Sequence, residues 1–190
     1  MLEQLINFLK QARPIPPGDV GKIGHYLQTR SVKEGEVLIE MDQSARELYF
    51  ITSGILKIIG VNSKSDTVIR FFIPENHLCT ILYSFQNNVP STESVIAACD
   101  TEVIVITHKI LDNINNEVPY FKEMLNGIMQ QALLKKIAIM STYLGEDATT
   151  RYHHFLQQQP HVANRVSLHD IASYLEITPQ SLSRIRRGVK

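Results

Sequence analysis

The spacing of hydrophobic and polar positions changes twice along the chain, and the changes mark three regions. Residues 1–27 read as a short helical lead-in broken by Pro14-Ile-Pro-Pro-Gly18, a stretch that cannot lie inside a helix. Asp19 then stands where it can cap a second short helix to about Tyr26. From Ser31 to about Thr107 the pattern becomes that of strands. Val37-Leu-Ile is short and apolar, and Glu47-Leu-Tyr-Phe-Ile is aromatic and branched. Thr52-Ser-Gly54 turns the chain into Ile55-Leu-Lys-Ile-Ile. Then follow Asp66-Thr-Val-Ile-Arg-Phe-Phe-Ile, a Pro74-Glu-Asn turn, Ser94-Val-Ile-Ala-Ala and Glu102-Val-Ile-Val-Ile. Short strands at this spacing, separated by turn signals, predict a β-sandwich or roll.

Helical period returns at residue 108. Phe121, Met124, Leu125, Ile128, Met129, Ala132, Leu133, Ile137, Met140 and Leu144 recur at steps of three and four. Pro119 fits a first turn and Gly145 a stop, which predicts a helix of roughly 26 residues, about 39 Å long. Its apolar stripe has two readings, packing along its own sheet or forming in part a subunit interface; width and length favour the second. Residues 146–190 are compact and helical. Thr149-Thr-Arg-Tyr-His-His-Phe-Leu starts a helix that Pro160 closes.

The stretch Leu168–Arg187 carries the most information. Ile171, Ala172, Leu175, Ile177, Leu182 and Ile185 form the apolar set that two short helices crossing at a tight turn bury between them. Ser167 or His169 serves the N-terminus of the first helix. Thr178-Pro179 is an N-cap followed by proline at the first helical position of the second. The exposed face of that helix is then Gln180, Ser181, Ser183, Arg184 and Arg187. Arginine pairs bidentately with guanine, glutamine with adenine, and serine serves several bases. Arg186 and Lys190 join Arg187 for phosphates, as do the N–H groups at the helix start.

Charge sharpens this reading. Lys plus Arg and Asp plus Glu are both 19, a net charge of zero. Residues 61–117 nevertheless hold seven acids against three bases, whereas 178–190 hold Arg184, Arg186, Arg187 and Lys190 and no acid. Local density is what phosphate contact requires, because charges beyond about 8–10 Å are screened. A length of 190 residues, 44% hydrophobic and 20% charged, fits one globular domain or a large one with a small second. The opening Met1-Leu-Glu-Gln-Leu has no signal-peptide flank, and two cysteines make no disulfide framework, so the expected compartment is the reducing cytoplasm.

The sequence resembles the family of the cyclic-AMP receptor protein and the fumarate and nitrate reduction regulator over nearly its whole length. Gly35-Glu-Val-Leu-Ile through Glu47-Leu-Tyr-Phe-Ile-Thr-Ser-Gly54-Ile-Leu-Lys-Ile looks like the first half of that family's cyclic-nucleotide-binding roll. Residues 118–144 fall on its dimerisation helix. Asp170-Ile-Ala-Ser-Tyr-Leu and Thr178-Pro-Gln-Ser-Leu-Ser-Arg-Ile fall on its helix-turn-helix, where Gln180, Ser183 and Arg184 match the base-reading places. The resemblance implies an α+β fold: an antiparallel jelly roll with short N-terminal helices (1–117), a dimerisation helix (118–145) and a helix-turn-helix domain (146–190). It implies a homodimer on palindromic double-stranded DNA, with an unidentified small-molecule effector or none.

Two departures stand out. Glu176 occupies the turn position that is usually glycine. In the cyclic-AMP cassette, His77-Leu-Cys-Thr-Ile-Leu and Pro90-Ser-Thr-Glu-Ser-Val lack the Gly-Glu pair and the arginine, and Glu93 stands near the place of the phosphate. No useful cyclic-AMP binding is therefore expected. An iron–sulfur cluster needs more cysteines than the chain has. His77 and Cys79 read as a loop residue and a buried thiol rather than haem ligands, and Cys79 with Cys99 as inert rather than a redox pair. His153 and His154 point about 100° apart on a helix and do not share a metal. With no paired carboxylates or nucleophile–base pattern, no enzyme, cofactor or metal is expected. The alternative function is a small-molecule-binding roll whose DNA-binding domain is vestigial.

Overall fold

The computed structural model describes residues 1–63 and 65–188. Lys190, one of the expected DNA contacts, lies outside the described residues. The lead-in folds as α1 (Leu2–Leu9) and α2 (Pro17–His25). Pro17 opens α2, so Asp19 sits inside the first turn and does not cap it. Its carboxylate instead accepts from Lys22 at 2.9 Å and from the Tyr120 hydroxyl at 2.8 Å, tying α2 to the start of the long helix.

The strands are β1 (Gln28–Val32), β2 (Val37–Ile39), β3 (Glu47–Ser53), β4 (Ile55–Val61), β5 (Thr67–Pro74), β6 (Leu78–Cys79), β7 (Ser94–Ala97) and β8 (Thr101–Thr107). A short helix, α3 (Leu82–Asn87), lies between β6 and β7. They pair antiparallel in two four-stranded sheets, β1-β8-β3-β6 and β2-β7-β4-β5, the jelly roll the strand pattern called for. Gly54 makes the β3–β4 corner at φ +101°, where a Cβ would come within 2.6 Å of the Thr101 backbone. Tyr49, Leu56 and Ile58 belong to the buried core of the roll, and Phe50, on the opposite face of β3 from Tyr49, meets Phe8 of α1 at 5.2 Å.

After the roll come α4 (His108–Glu117) and α5 (Phe121–Ser141). The long helix has 21 residues, about 31 Å, fewer than the sequence pattern suggests. Pro119 lies in the turn between α4 and α5 rather than in the first turn of α5, and the chain leaves the helix in a turn that ends at Gly145, φ +80°. Packing on the chain's own roll accounts for one half of the stripe only. Phe121, Met124, Leu125 and Met129 are buried against the roll, whereas Leu133, Leu134, Ile137 and Met140 are exposed.

The remaining helices are α6 (Ala148–Gln158), α7 (Pro160–Ala163), α8 (Leu168–Tyr174) and α9 (Pro179–Gly188). Asp147 caps α6 by accepting from the N–H groups of Thr149 and Thr150. Val166 lies in the bend that leads from α7 into the Ser167 cap. These helices share a second apolar cluster with the outer face of β4–β5: Ile55, Ile69 and Phe72 meet Phe155, Ile171 and Leu175. Strand β4 is thus covered on both faces, which accounts for its nearly continuous apolar run.

Candidate nucleic-acid interface

Helices α8 and α9 are built as their sequence requires. Ser167 Oγ accepts from the Asp170 N–H at 3.0 Å and so caps α8; of the two candidates, serine is the one used. Thr178 Oγ1 accepts from the Ser181 N–H at 3.1 Å and caps α9. Between the helices the Ile177 N–H donates to the Ala172 carbonyl, closing the turn tightly. Ile171, Ala172, Leu175 and Leu182 are buried and Ile177 and Ile185 partly so, all in one cluster. The six apolar positions recognised in the sequence therefore converge.

What they leave outward is the basic face. Gln180, Ser183, Arg184, Arg186 and Arg187 are exposed. Ser181 is half-buried and its hydroxyl lies 3.0 Å from Thr178 Oγ1, so this side chain is already engaged within the cap. Among the described residues no ion pair holds Arg184, Arg186 or Arg187, and their donors face water.

Glu176, in the turn between α8 and α9, has φ +53°, the left-handed conformation that glycine adopts without strain. The penalty for a side chain there is about 1–2 kcal/mol. Glu176→Gly is therefore expected to raise the thermal midpoint by a few degrees, since about 1 kcal/mol corresponds to roughly 2–4 °C at this size. An unchanged or lower midpoint in calorimetry would show that the turn carries no such strain.

Three contacts that the sequence did not reveal fix this helical domain on the roll. Lys57 Nζ of β4 donates to both carboxylate oxygens of Asp170 at 2.9 Å. The Ile69 N–H of β5 donates to Ser173 Oγ at 3.1 Å, and Arg165 pairs with Glu75 at 2.7 Å. No local spacing announces them, because the partners lie 90 to 113 residues apart.

In the roll, the segment from β6 to β7 satisfies its own polar groups. Thr80 donates to the Glu47 carbonyl, and Ser91 Oγ both donates to the Glu93 carbonyl and accepts from the Glu93 N–H. Glu93 is partly buried, and burial holds its carboxyl above the ordinary value while Arg70 and Lys136 pull it back down. Two cations missed in the sequence thus reach this place from β5 and α5; strand alternation would have put Arg70 on a face but not beside Glu93. Cys79 is buried, and burial pushes its thiol up to about 12. At pH 8 the buried Cys79 thiol therefore stays protonated. Iodoacetamide at that pH is expected to alkylate the partly exposed Cys99 and to spare Cys79 until the protein is unfolded. Mass spectrometry of the peptides decides it, and equal labelling of both in the native protein is the adverse result. Among the described residues no group of three or more His, Cys, Asp or Glu could hold a metal ion, and no helix is long and apolar enough to cross a membrane.

A jelly roll, a long helix and a capped helix-turn-helix follow one another along the chain. Residues 29–117 match the cyclic nucleotide-binding domain family. The fold is similar to that of FixK2 from Bradyrhizobium japonicum, with TM-score 0.70 and 18% identity over 86% of this chain and 84% of that one. The global regulator CLP of Xanthomonas campestris, described as responsive to c-di-GMP, gives TM-score 0.70 and 15% identity over 92% and 91%. The catabolite activator protein of Thermus thermophilus gives 0.57 and 15% over 93% and 84%. No curated protein matches the sequence at significant similarity. Residues 29–117 are thus similar to a cyclic nucleotide-binding domain, and the chain as a whole has a fold like those of these three proteins.

Proposed function

We propose that the chain is a cytoplasmic homodimer that regulates transcription by reading a palindromic double-stranded DNA site, and that it is not an enzyme. The observation that carries this is the exposed Gln180–Ser183–Arg184 face of α9, flanked by Arg186 and Arg187 and braced by α8. Gln180, Ser183 and Arg184 read base edges, and Arg186, Arg187 and Lys190 hold phosphates. One short helix contacts few bases, and two copies about 34 Å apart double the contacts. The exposed distal half of α5 supplies the surface for the second copy.

The roll in this reading does not bind cyclic AMP. Glu93 stands where the phosphate would lie, and hydrogen bonds to charged groups contribute about 1.5–3 kcal/mol each. Losing them and facing a carboxylate removes two or more powers of ten in affinity.

Selection from a random duplex pool with the purified protein, at low and moderate salt, tests the proposal. The expected result is an enriched palindrome with half-sites one helical turn apart. In the same assay Arg184→Ala should lose about 1–3 kcal/mol per half-site and relax preference at one base pair. No enrichment by a dimer that is intact in sedimentation would favour the rival reading, a small-molecule module with a vestigial DNA-binding domain.

A further inference from the structure

A cavity of about 450 Å³ opens where four parts of the molecule meet. Phe8 and Gln11 come from α1 and the turn after it, Phe71 from β5, Ile128 and Ile139 from α5, and Gln158 and Tyr174 from the helical domain. His77 and Leu78, which open the cassette stretch, lie on its wall, but none of residues 79–94 lines it, so it lies beside the segment between β6 and β7 and not within it. Its size is that of sites which enclose small organic ligands.

The chemistry of the wall is one-sided. It is mostly apolar, it carries several carboxamides, it includes Lys135 and Lys136, and no Asp or Glu lines it. Lys136 is the unusual member. It extends over the Phe71 ring, with Nζ 4.7 Å from the centroid, and forms no ion pair among the described residues. Burial draws its pKa below the ordinary lysine value, and the charges of Cys79 and Glu93 oppose this in part. An ammonium held against an aromatic face with no carboxylate in ion-pair contact has lost hydration without a direct partner to replace it. An anion entering the cavity would supply the missing partner at no further desolvation cost to the lysine.

We propose that this cavity binds an amphipathic anion, a carboxylate or phosphate monoester on an apolar body, with Lys136 pairing the charge and Phe8, Phe71, Ile128 and Ile139 covering the body. Lys135, exposed at the mouth, draws the anion in. Because Gln158 and Tyr174 belong to the helical domain, a bound ligand touches the roll, the long helix and the DNA-reading head together. The proposal concerns ligand binding only and does not rest on DNA recognition.

Calorimetric titration of the full chain with 2-naphthoate, 2-naphthyl phosphate and the neutral 2-naphthamide tests it, with cyclic AMP alongside. At least one anion is expected to bind about ten- to a hundredfold more tightly than the amide, the range of one charge-assisted contact. The two anions separate carboxylate from phosphate recognition. Lys136→Met should abolish the preference while circular dichroism stays that of the wild type. Should that variant fail to fold, Ile139→Phe, which narrows the cavity without touching the charge, must weaken the preferred anion at least tenfold. The proposal is overturned if neither anion is preferred over the amide, if the preference survives in Lys136→Met, or if Ile139→Phe binds as the wild type does.

Discussion

Replacing Leu134 and Ile137 together by glutamate is expected to split the dimer and lower affinity for the palindromic site by at least about a hundredfold. The two side chains are 65% and 53% exposed, against 0% for Phe121 and 1% for Leu125 on the same helix. Leu133, Ile137 and Met140 follow a four-then-three spacing, and Leu134, three residues before Ile137, flanks the same exposed stripe. Burying a leucine or isoleucine contributes about 1.5–3 kcal/mol, and a symmetric dimer buries each position twice. Removing four such contacts and placing four carboxylates in the seam takes the dissociation constant up by several powers of ten. A monomer then holds one half-site and loses the avidity of the pair, which is worth about 10²–10⁴. Sedimentation should show a monomer at micromolar concentration, with circular dichroism unchanged because neither side chain supports the protomer. A double variant that remains dimeric would remove this face of α5 from the interface.

The case of α5 shows what the sequence tells and what it withholds. Its three- and four-residue period was legible because only a helix brings apolar residues at those steps onto one face. The division into a buried proximal and an exposed distal half was not, since Phe121 and Ile137 look alike until the roll is set beside only one of them. The strands rich in Val, Ile and aromatics were legible from their own pattern of branched residues between turns, as were the caps Ser167 and Thr178 from their place before apolar runs. Missed were β1, which reads Gln-Thr-Arg-Ser-Val, and the two-residue β6. Such segments have too few apolar positions to show a period, and their pairing is imposed by β8 and β3. The apolar set and the caps of α8 and α9 could be read because helix-turn-helix packing is local. The cavity could not, because Phe8, Phe71, Lys136 and Tyr174 come together only in three dimensions.

The contact least visible in the sequence carries the second large effect. Lys57 and Asp170 are only 19% and 13% exposed, and each is the other's ion-pair partner. Removing one leaves an uncompensated charge at the junction of the roll and the helical domain, a change that costs roughly 3 kcal/mol. Lys57→Met and Asp170→Asn are each expected to lower the thermal midpoint by about 6–12 °C at 2–4 °C per kcal/mol. Asp170→Asn should lose slightly more, because its charge also sits in the first turn of α8. The double variant leaves neither charge stranded, and it should recover about 2 kcal/mol relative to the sum of the single losses. Strict additivity would mean that the pair is not coupled. The consequence for function follows from where the pair sits. The Ile55–Ile69–Phe72 contact and this ion pair hold α8, and through it α9, at one angle to the roll. With the pair broken, faster proteolytic cleavage is expected in the 142–147 connection. The pool selected by the single variants should then accept a wider range of half-site spacings than the wild type does. A head that keeps its spacing preference after the pair is broken would place control of the α9 angle in the apolar contact alone.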